Sequence, residues 1–148
     1  MPIEFYGTRA AYGCCFSNFS KHGIELDGQW WPTTEHYFQA QKFAGTPHVE
    51  AIRCAATPKR AAEMGRERSR PLRSDWEQVK DEIMHRAVLK KFQTHQEICE
   101  VLLSTGDEEI IENAPGDYYW GCGKNRTGQN KLGIILVQVR EELRNEKA

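Results

Sequence analysis

The sequence lacks the features that mark a secreted, zinc-binding or membrane-spanning protein. Its cysteines number five, two of them are adjacent, and no CxxC pair occurs, which argues against a disulfide framework and a structural zinc site. No stretch approaches the ~20 consecutive apolar residues that a membrane helix needs. The first residues, Met-Pro-Ile-Glu-Phe-Tyr, contain neither the basic region nor the apolar run of a signal peptide. We therefore expect a cytoplasmic protein with no membrane contact.

Several motifs of cofactor and nucleic-acid binding are also missing. No GxGxxG opens a strand–helix unit, so dinucleotide binding of the usual form is not predicted. Gly123 and Gly128 have the glycine spacing of a Walker A loop, but Gln129-Asn130 follow where that motif needs Lys-Ser/Thr. The histidines form no HExxH, and the net charge of -1 lacks the basic excess of a duplex-DNA-binding domain. No metal, no cofactor and no obligate protein partner are predicted.

The length of 148 residues suits one domain, and we expect a single α+β domain over 1–148, mainly helical with a few short strands. The segments 24–26 and 29–31 flank Asp27-Gly28, a strong hairpin signal. Strands are also predicted at 3–6 and 109–112, and loops at 7–23 and 113–130.

Capping residues and glycines predict where the helices begin and end. Thr33 or Thr34 is expected to cap a helix that stops at Gly45. Pro58 begins another helix, with Gly65 past its end. Two capping boxes, Ser74/Glu77 and Thr94/Glu97, predict helices from 74 to 92 and from 94 to 103. The remaining helices are predicted at 47–55 and 129–144.

Residues 30–43 are the most informative stretch, because an aromatic pair, a proline and a threonine cap lead into a helix. Glu35 and Lys42 are seven residues apart, so they share one helical face with Phe38. A paired acid and base beside aromatic rings suits a site that holds a flat heterocycle and breaks a bond next to it. The plainer interpretation is a carboxylate that stabilises the helix N-terminus, worth ~0.3–1 kcal/mol, and a solvated lysine near its C-terminus.

A second candidate site is the glycine-rich loop at 117–130. It contains Lys124 and Arg126, and its backbone N–H groups could hold an anion, although a flexible surface loop is the alternative. Three adjacent aromatic residues beside the glycines favour a binding edge, since exposed aromatics need a reason. Among the arginines of the loop at 66–73, Arg66 is the candidate to hold a phosphate.

Several motifs resemble, in the same order, those of the NADAR (YbiA-like) family of N-glycosidases. Trp31-Pro32-Thr33-Thr34-Glu35-His36-Tyr37-Phe38-Gln39-Ala40-Gln41-Lys42-Phe43 closely resembles the family signature. The other matching segments are Phe16-Ser17-Asn18-Phe19, Met64-Gly65-Arg66, Trp76, Lys90-Lys91-Phe92, Leu103-Ser104-Thr105-Gly106-Asp107, Trp120-Gly121-Cys122-Gly123, Gly128-Gln129-Asn130-Lys131-Leu132-Gly133 and Arg140. The resemblance runs from about Glu4 to Leu143.

The resemblance implies a YbiA-like fold, rich in helix and without metal, and a small-molecule substrate. Members of this family are linked to cleavage of early riboflavin-pathway intermediates, phosphoribosylamino-pyrimidines, into ribose 5-phosphate and a free aminopyrimidine. Other members resemble hydrolases that remove ADP-ribose from guanine in nucleic acids. A third alternative is a module that binds ADP-ribose or NAD without cleaving it. The net charge argues against a nucleic-acid partner and the arginines at 66–73 argue for one, so these alternatives stay open.

The chemistry implied by the resemblance gives each candidate residue a role. Hydrolysis passes through an oxocarbenium-like state, which needs a carboxylate near C1 and a proton for the departing nitrogen. We assign Glu35 as the principal catalytic group, Asp117 as a second carboxylate that orients water or substrate, and Lys42 as a phosphate ligand or Schiff-base nucleophile. The predicted substrate-binding residues are Trp76 and Trp120, which would stack on the pyrimidine, Asn18, Arg66 and Asn130, which would contact sugar and phosphate, and Gly121.

Overall fold

The computed structural model describes residues 1–8 and 11–147, in which helices alternate with a few short strands. In chain order the elements are β1 (Ile3–Phe5), α1 (Gly13–Phe16), β2 (Ile24–Leu26), β3 (Gln29–Trp31), α2 (Thr34–Gln41), α3 (His48–Arg53), α4 (Pro58–Arg66), α5 (Trp76–Thr94), α6 (Gln96–Ser104), β4 (Ile110–Glu112) and α7 (Lys131–Lys147). This order confirms the predicted α+β class, mainly helical. Along the same residues, no helix is long and apolar enough to cross a membrane.

The strands form two separate pairs. β2 and β3 pair antiparallel, with Ile24 opposite Trp31, as Asp27-Gly28 predicts. Both turn residues have positive φ, 57° and 80°, which is the geometry of a type I′ hairpin turn. β1 and β4 pair in parallel, with Phe5 opposite Glu112. Because parallel strands end at the same edge, the residues that follow Phe5 and Glu112 emerge side by side.

Helix α2 is central to the fold and is buried on every side. All residues from Thr34 to Ala40 are buried, including Glu35 and Gln39. Tyr37 packs edge-on against Trp31, with ring centroids 5.1 Å apart, in a core shared with β2, α3 and α4. A second core lies among α1, α5, α6, α7 and the two parallel strands. A helix buried all round usually carries apolar residues, so the polar residues of α2 need partners or a function.

The capping boxes predicted at 74–77 and 94–97 do not form. Helix α5 begins after Asp75, whose carboxylate accepts a hydrogen bond from Arg73 Nε at 2.6 Å. Thr94 stays inside α5 and donates its hydroxyl to a main-chain carbonyl of the same helix at 2.7 Å. Both predictions are wrong. Arg73 binds Asp75, the residue after the expected cap, and Thr94 uses its hydroxyl within α5. A capping-box pattern covers only the four residues of the box, so it does not include these hydrogen bonds.

The predictions that Gly65 and Gly45 end helices are also wrong. Helix α4 continues through Arg66, and a Cβ on Gly65 would lie 1.9 Å from Gln39 Oε1. This glycine therefore permits the close approach of α4 to α2. Helix α2 itself ends at Gln41, and Gly45, with a φ of +85°, lies in the turn that follows.

Two further boundaries differ from prediction. The predicted loop at 7–23 contains α1, a four-residue helix too short to show a hydrophobic period, and residues 9 and 10 of that loop lie outside the described residues. The last helix begins at Lys131 and runs to Lys147, where 129–144 was expected. Asn130, with a φ of 53°, has a left-handed backbone and so cannot be part of α7.

We expect Gly133→Ala to destabilise the protein, because α7 contacts β4 at this glycine. A Cβ there would lie 2.0 Å from Ile110 O, and backbone has little freedom to move away. Overpacking of this kind outweighs the ~1 kcal/mol that alanine gains over glycine inside a helix, so a net loss of about 2 kcal/mol is expected. Urea denaturation measures it. Gly116→Ala, with nothing within 4 Å, is the control and should stay within about 0.5 kcal/mol of the parent. Equal stability of both variants would contradict the close packing.

Candidate active site

A pocket of about 460 Å³ opens beside α2, at the edge where β1 and β4 end. This volume lies within the ~300–1,000 Å³ typical of small-molecule sites. Its walls come from α2 and α4, the segment after α1, both strand ends, α5 and the loop before α7. The lining residues are Tyr6, Ser17, Asn18, Phe19, Glu35, Phe38, Gln39, Lys42, Ala62, Arg66, Met84, Glu112, Ala114, Gly116, Asp117 and Trp120.

The structure brings six of the predicted site residues to this one pocket: Glu35, Lys42, Asn18, Arg66, Asp117 and Trp120. The face of α2 predicted from the spacing of its residues is the face that lines it. Asn18 connects the segment after α1 to α2, since its Oδ1 accepts from Thr34 Oγ1 at 2.8 Å and its main-chain O accepts from Glu35 N at 3.1 Å. The N-cap is Thr33, whose hydroxyl accepts from His36 N at 3.1 Å, and this cap fixes the first turn that carries Glu35.

The carboxyl group of Glu35 is buried, with only 8% of the residue exposed. Burial raises the pKa of Glu35, because a charged carboxylate loses solvation there. The hydrogen bond from Gln39 Nε2 to Glu35 Oε2, at 2.7 Å, and the positive charges of Lys42 and Arg66 act in the opposite direction. Glu35 is therefore a buried carboxyl held among a hydrogen-bond donor and two cations.

Glu112 is a second pocket carboxyl, and no sequence motif singled it out. It is the last residue of β4, a three-residue strand whose first two residues, Ile110 and Ile111, are buried. Burial, followed by the negative charges of Asp117 and Glu35, raises the pKa of Glu112 to about 7. Its position at the carboxyl end of a predicted strand was the available sequence indication. That position points to a site only once β4 is known to pair in parallel with β1, because the pairing brings both strand ends to the pocket.

Asp117 completes an acidic cluster, defined as Glu35, Glu112 and Asp117. Its Oδ1 accepts hydrogen bonds from Tyr119 N at 3.0 Å and Trp120 N at 2.8 Å, so the carboxylate also organises the loop that it begins. Within 1–8 and 11–147, no group of three or more His, Cys, Asp or Glu residues is arranged to hold a metal ion. Carboxyl groups in such a cluster can transfer protons and stabilise positive charge.

Lys42 is the buried member of a basic pair, defined as Lys42 and Arg66. Only 8% of Lys42 is exposed, and burial, with the neighbouring charge of Arg68, lowers the pKa of its amine to about 8, while Glu35 opposes the shift. The Nζ atom lies 3.4 Å from Gly65 O and 5.9 Å from the ring centroids of both Phe38 and Trp76. An amine with this pKa switches between a cation and a neutral nucleophile near neutral pH.

Arg66 is the exposed member of the basic pair. It is the last residue of α4 and projects into the mouth of the pocket. Among the described residues Arg66 belongs to no ion pair, whereas Arg60 on the same helix lies 3.6 Å from Glu63 and 3.5 Å from Glu67. A guanidinium without a carboxylate partner at a pocket mouth is available to bind an anion.

Aromatic rings form the remaining wall. Phe38 lies between two indoles, with centroids 5.1 Å from Trp76 and 5.3 Å from Trp120. Trp120 reaches the pocket lining, and Tyr6 and Phe19 stand at the mouth with 57% and 36% of their surface exposed. In the sequence, Phe19 was noted only as part of a family motif. Tyr6 was noted only as the end of the first predicted strand, and neither residue was predicted to belong to the site. These rings can stack on a flat heterocycle.

Three residues predicted to bind substrate lie outside the pocket lining. Trp76 is 5% exposed and packs against Phe38 in the core. Asn130 donates Nδ2 to Ile110 O and accepts at Oδ1 from Glu112 N, both at 2.9 Å. A Cβ on Gly121 would lie 2.9 Å from Glu112 O. The last two therefore fix the end of β4, and with it Glu112.

The charged part of the glycine-rich loop is likewise outside the pocket lining. Arg126 donates to Glu4 Oε1 at 3.1 Å, and Lys124 is exposed. The loop contributes Asp117 and Trp120 to the pocket, and the positive charge comes from α2 and α4. The expected anion cradle of backbone N–H groups is not formed toward the pocket, since those of Gly128 and Asn130 donate to main-chain carbonyls at 2.7 Å and 3.0 Å.

Known proteins share this sequence and fold. The NADAR domain family matches residues 4–144. The chain is 55% identical over 148 residues to N-glycosidase Npun_R5314 of Nostoc punctiforme, covering 98% of this chain and 94% of that protein. It is 47% identical over 145 residues to N-glycosidase YbiA of Escherichia coli, covering 98% of this chain and 90% of that protein. The NMR structure of E. coli YbiA superimposes with a TM-score of 0.91 at 46% identity, over 99% of this chain and 87% of that one.

A plant relative carries the same domain within a longer protein. The riboflavin biosynthesis protein PYRR of Zea mays, a chloroplastic protein, is 40% identical over 156 residues, which covers 95% of this chain and 25% of that protein. Family match, identity and fold agree along nearly the full length. The chain therefore belongs to the NADAR domain family and is a hydrolase of N-glycosyl compounds, an N-glycosidase.

Proposed function

We propose that the protein hydrolyses the N-glycosidic bond of a phosphoribosylamino-pyrimidine, an early intermediate of riboflavin biosynthesis. The products are ribose 5-phosphate and a free aminopyrimidine. One observation supports this most strongly: a single pocket joins the acidic cluster to the basic pair, with aromatic rings between them. These three surfaces match the three parts of such a substrate, namely the anomeric carbon, the phosphate and the flat base. The name of the maize relative supports the riboflavin pathway.

In the proposed reaction Glu35 faces the anomeric carbon C1 of the sugar. The transition state carries positive charge shared by C1 and the ring oxygen, and a nearby carboxylate in a water-poor site stabilises it. The donors around Glu35, Gln39 Nε2 above all, hold the carboxylate in place. Asp117, on the loop opposite α2, orients the attacking water. Trp120 and Phe38 hold the base against the sugar plane.

The basic pair binds the phosphate. Lys42 supplies a buried cation at neutral pH and Arg66 supplies two or more N–H donors in the planar geometry that fits phosphate oxygens. Both belong to the same pocket as Glu35, so phosphate binding sets the distance of C1 from the carboxylate. Binding energy from a part of the substrate that does not react is in this way used to orient the part that does.

A second candidate function is removal of ADP-ribose from guanine in nucleic acid. The specific observation in its favour is Lys42, whose pKa of about 8 leaves part of the amine neutral and able to attack a ring-opened sugar. Tyr6 and Phe19, which line the pocket and are exposed, could contact a substrate that continues outside it. A module that binds without cleaving is not supported, because the relatives of 55% and 47% identity are N-glycosidases.

One set of assays distinguishes the two candidate functions. Purified protein is incubated with the phosphoribosylamino-pyrimidine and, in parallel, with single-stranded DNA carrying ADP-ribosylated guanine. We expect release of ribose 5-phosphate from the first substrate at a much higher kcat/KM than release of ADP-ribose from the second. The reverse order would replace the proposed substrate with ADP-ribosylated nucleic acid.

Arg66→Ala is expected to raise KM for the phosphorylated substrate by about 10–100-fold, since a hydrogen bond to a charged group contributes ~1.5–3 kcal/mol. The same variant should leave kcat/KM unchanged for the substrate from which the 5-phosphate has been removed. Arg60→Ala is the matched control, because Arg60 lies on the same helix but pairs with Glu63 and Glu67. Equal losses on both substrates would show that Arg66 does not bind the phosphate.

A further inference from the structure

We propose that Glu112 is a catalytic acid of this site and gives its proton to the nitrogen that leaves the sugar. The inference rests on the proposed function, since it assigns one step of that reaction. It concerns a residue at the end of β4 that lines the same pocket as the basic pair. No motif in the sequence pointed to it.

The main chain of Glu112 is held by neighbours on both sides. Its N–H donates to Asn130 Oδ1 and its carbonyl accepts from Cys122 N, both at 2.9 Å. The next residue, Asn113, donates its N–H to Phe5 O at 2.7 Å. A side chain on so constrained a backbone enters the pocket from a fixed origin, which is what positioned proton transfer requires.

The carboxyl of Glu112 differs from the other two in having no committed partner. Glu35 accepts from Gln39, and Asp117 accepts from two main-chain N–H groups. Over residues 1–8 and 11–147, no side-chain hydrogen bond or ion pair engages the carboxyl of Glu112, a partly exposed residue that lines the pocket. The carboxyl of Glu112 is therefore available to form hydrogen bonds with a molecule bound in the pocket.

The surroundings of Glu112 favour its protonated form. The charged groups that line the pocket are Glu35, Glu112, Asp117, Lys42 and Arg66. Glu112 is influenced by burial and by the negative charges of Asp117 and Glu35, which raise its pKa to about 7. Burial also raises the pKa of Glu35, but the hydrogen bond from Gln39 and the charges of Lys42 and Arg66 oppose that shift, whereas among the described residues no donor or cation opposes it at Glu112. A carboxyl whose pKa lies near neutral pH can hold a proton and then give it up, as a general acid must.

In the step that follows, the C1–N bond breaks and its electron pair stays on the nitrogen. The Glu112 carboxyl passes its proton to that nitrogen, so the aminopyrimidine leaves neutral. The oxygen of a water molecule forms the new bond to C1, and the proton that this water loses goes to Glu35. Release of that proton to solvent, and uptake of one by Glu112, restores the starting state.

The test compares Glu112→Gln on two substrates that differ in the need for a proton. One is the phosphoribosylamino-pyrimidine, and the other is p-nitrophenyl ribofuranoside 5-phosphate, whose nitrophenolate departs without protonation. We expect kcat to fall by about 10²–10³-fold on the first and by less than about fivefold on the second, because general acid catalysis contributes roughly 10²–10⁴-fold. Glu109→Gln, an exposed glutamate just before β4, is the control and should resemble the parent on both.

The pH profile gives an independent readout. For the parent enzyme, kcat on the aminopyrimidine substrate should decline as pH rises through about 7, as Glu112 loses its proton, and this decline should be absent in Glu112→Gln. The variant should remain folded. The pKa of Glu112 is higher in the folded protein than in the unfolded chain, so ionisation costs the parent stability as pH rises toward about 7, and the glutamine variant is spared this loss.

Three results would overturn the inference. Unchanged kcat on the aminopyrimidine would remove Glu112 from the reaction while leaving the proposed function in place. Equal losses on both substrates with an unaltered pH profile would make Glu112 a structural residue. A parent enzyme that releases no ribose 5-phosphate from the aminopyrimidine would remove the proposed function, and the acid role with it.

Discussion

Glu35→Gln should reduce kcat/KM for N-glycosidic hydrolysis by about 10³-fold, roughly 4 kcal/mol of transition-state stabilisation. Glutamine keeps the size of the side chain and can still accept the hydrogen bond from Gln39 Nε2. It removes the negative charge that would face C1, and it cannot take a proton from water. The loss should therefore fall on kcat, with KM little changed.

The fold of this variant should survive, which separates chemistry from stability. Burial raises the pKa of Glu35, so the charged carboxylate is disfavoured in the folded state and its removal costs nothing on that account. Glu97→Gln is the matched control, because Glu97 also lies in the first turn of a helix but is exposed. Turnover by Glu35→Gln within tenfold of the parent would exclude Glu35 from the mechanism.

Lys42→Met is expected to lower kcat/KM by about 100-fold. Methionine fills a similar volume without a charge or a donor, so the phosphate loses a charge-assisted hydrogen bond worth ~1.5–3 kcal/mol. If the amine binds phosphate, the loss appears in KM. If it attacks the sugar, the loss appears in kcat, and borohydride reduction during turnover leaves a sugar adduct on Lys42 that mass spectrometry detects.

The ionisation of Lys42 gives the phosphate role its own pH signature. The pKa of the amine is lowered to about 8, so its positive charge is lost as pH rises through that value, and KM for the phosphorylated substrate should increase. Lys42→Arg should abolish the increase, because guanidinium stays charged. The exposed Lys59 of α4 supplies the control, and Lys59→Met should match the parent. A Lys42→Met variant with normal kcat and KM would contradict both roles.

Much of this fold could be predicted because some turns and caps depend only on residues that are close together in the sequence. The Asp27-Gly28 hairpin and the Thr33 cap depend on residues within a few positions, and both appear as expected. Gly65 was misjudged because its neighbour, Gln39, is on another helix. In the same way, Asp75 and its partner Arg73 determine where α5 begins, and a capping pattern does not include such pairs.

The site was predictable as far as it lies on one helix. Glu35 and Lys42 share a face of α2 by spacing alone, and that face lines the pocket. Glu112 and Tyr6 become neighbours through the parallel pairing of β1 and β4, which joins distant parts of the chain. Trp76 was expected to stack on substrate, but the packing of α5 against Phe38 keeps it in the core.

The most direct measurement is a crystal structure of Glu35→Gln with ribose 5-phosphate bound. We predict that the phosphate oxygens lie within hydrogen-bond distance of Lys42 Nζ and the Arg66 guanidinium, and that C1 faces residue 35 with Trp120 alongside. A phosphate held instead by Lys124 and Arg126 of the glycine-rich loop, with C1 directed away from residue 35, would contradict the assignment of this pocket as the site of bond cleavage.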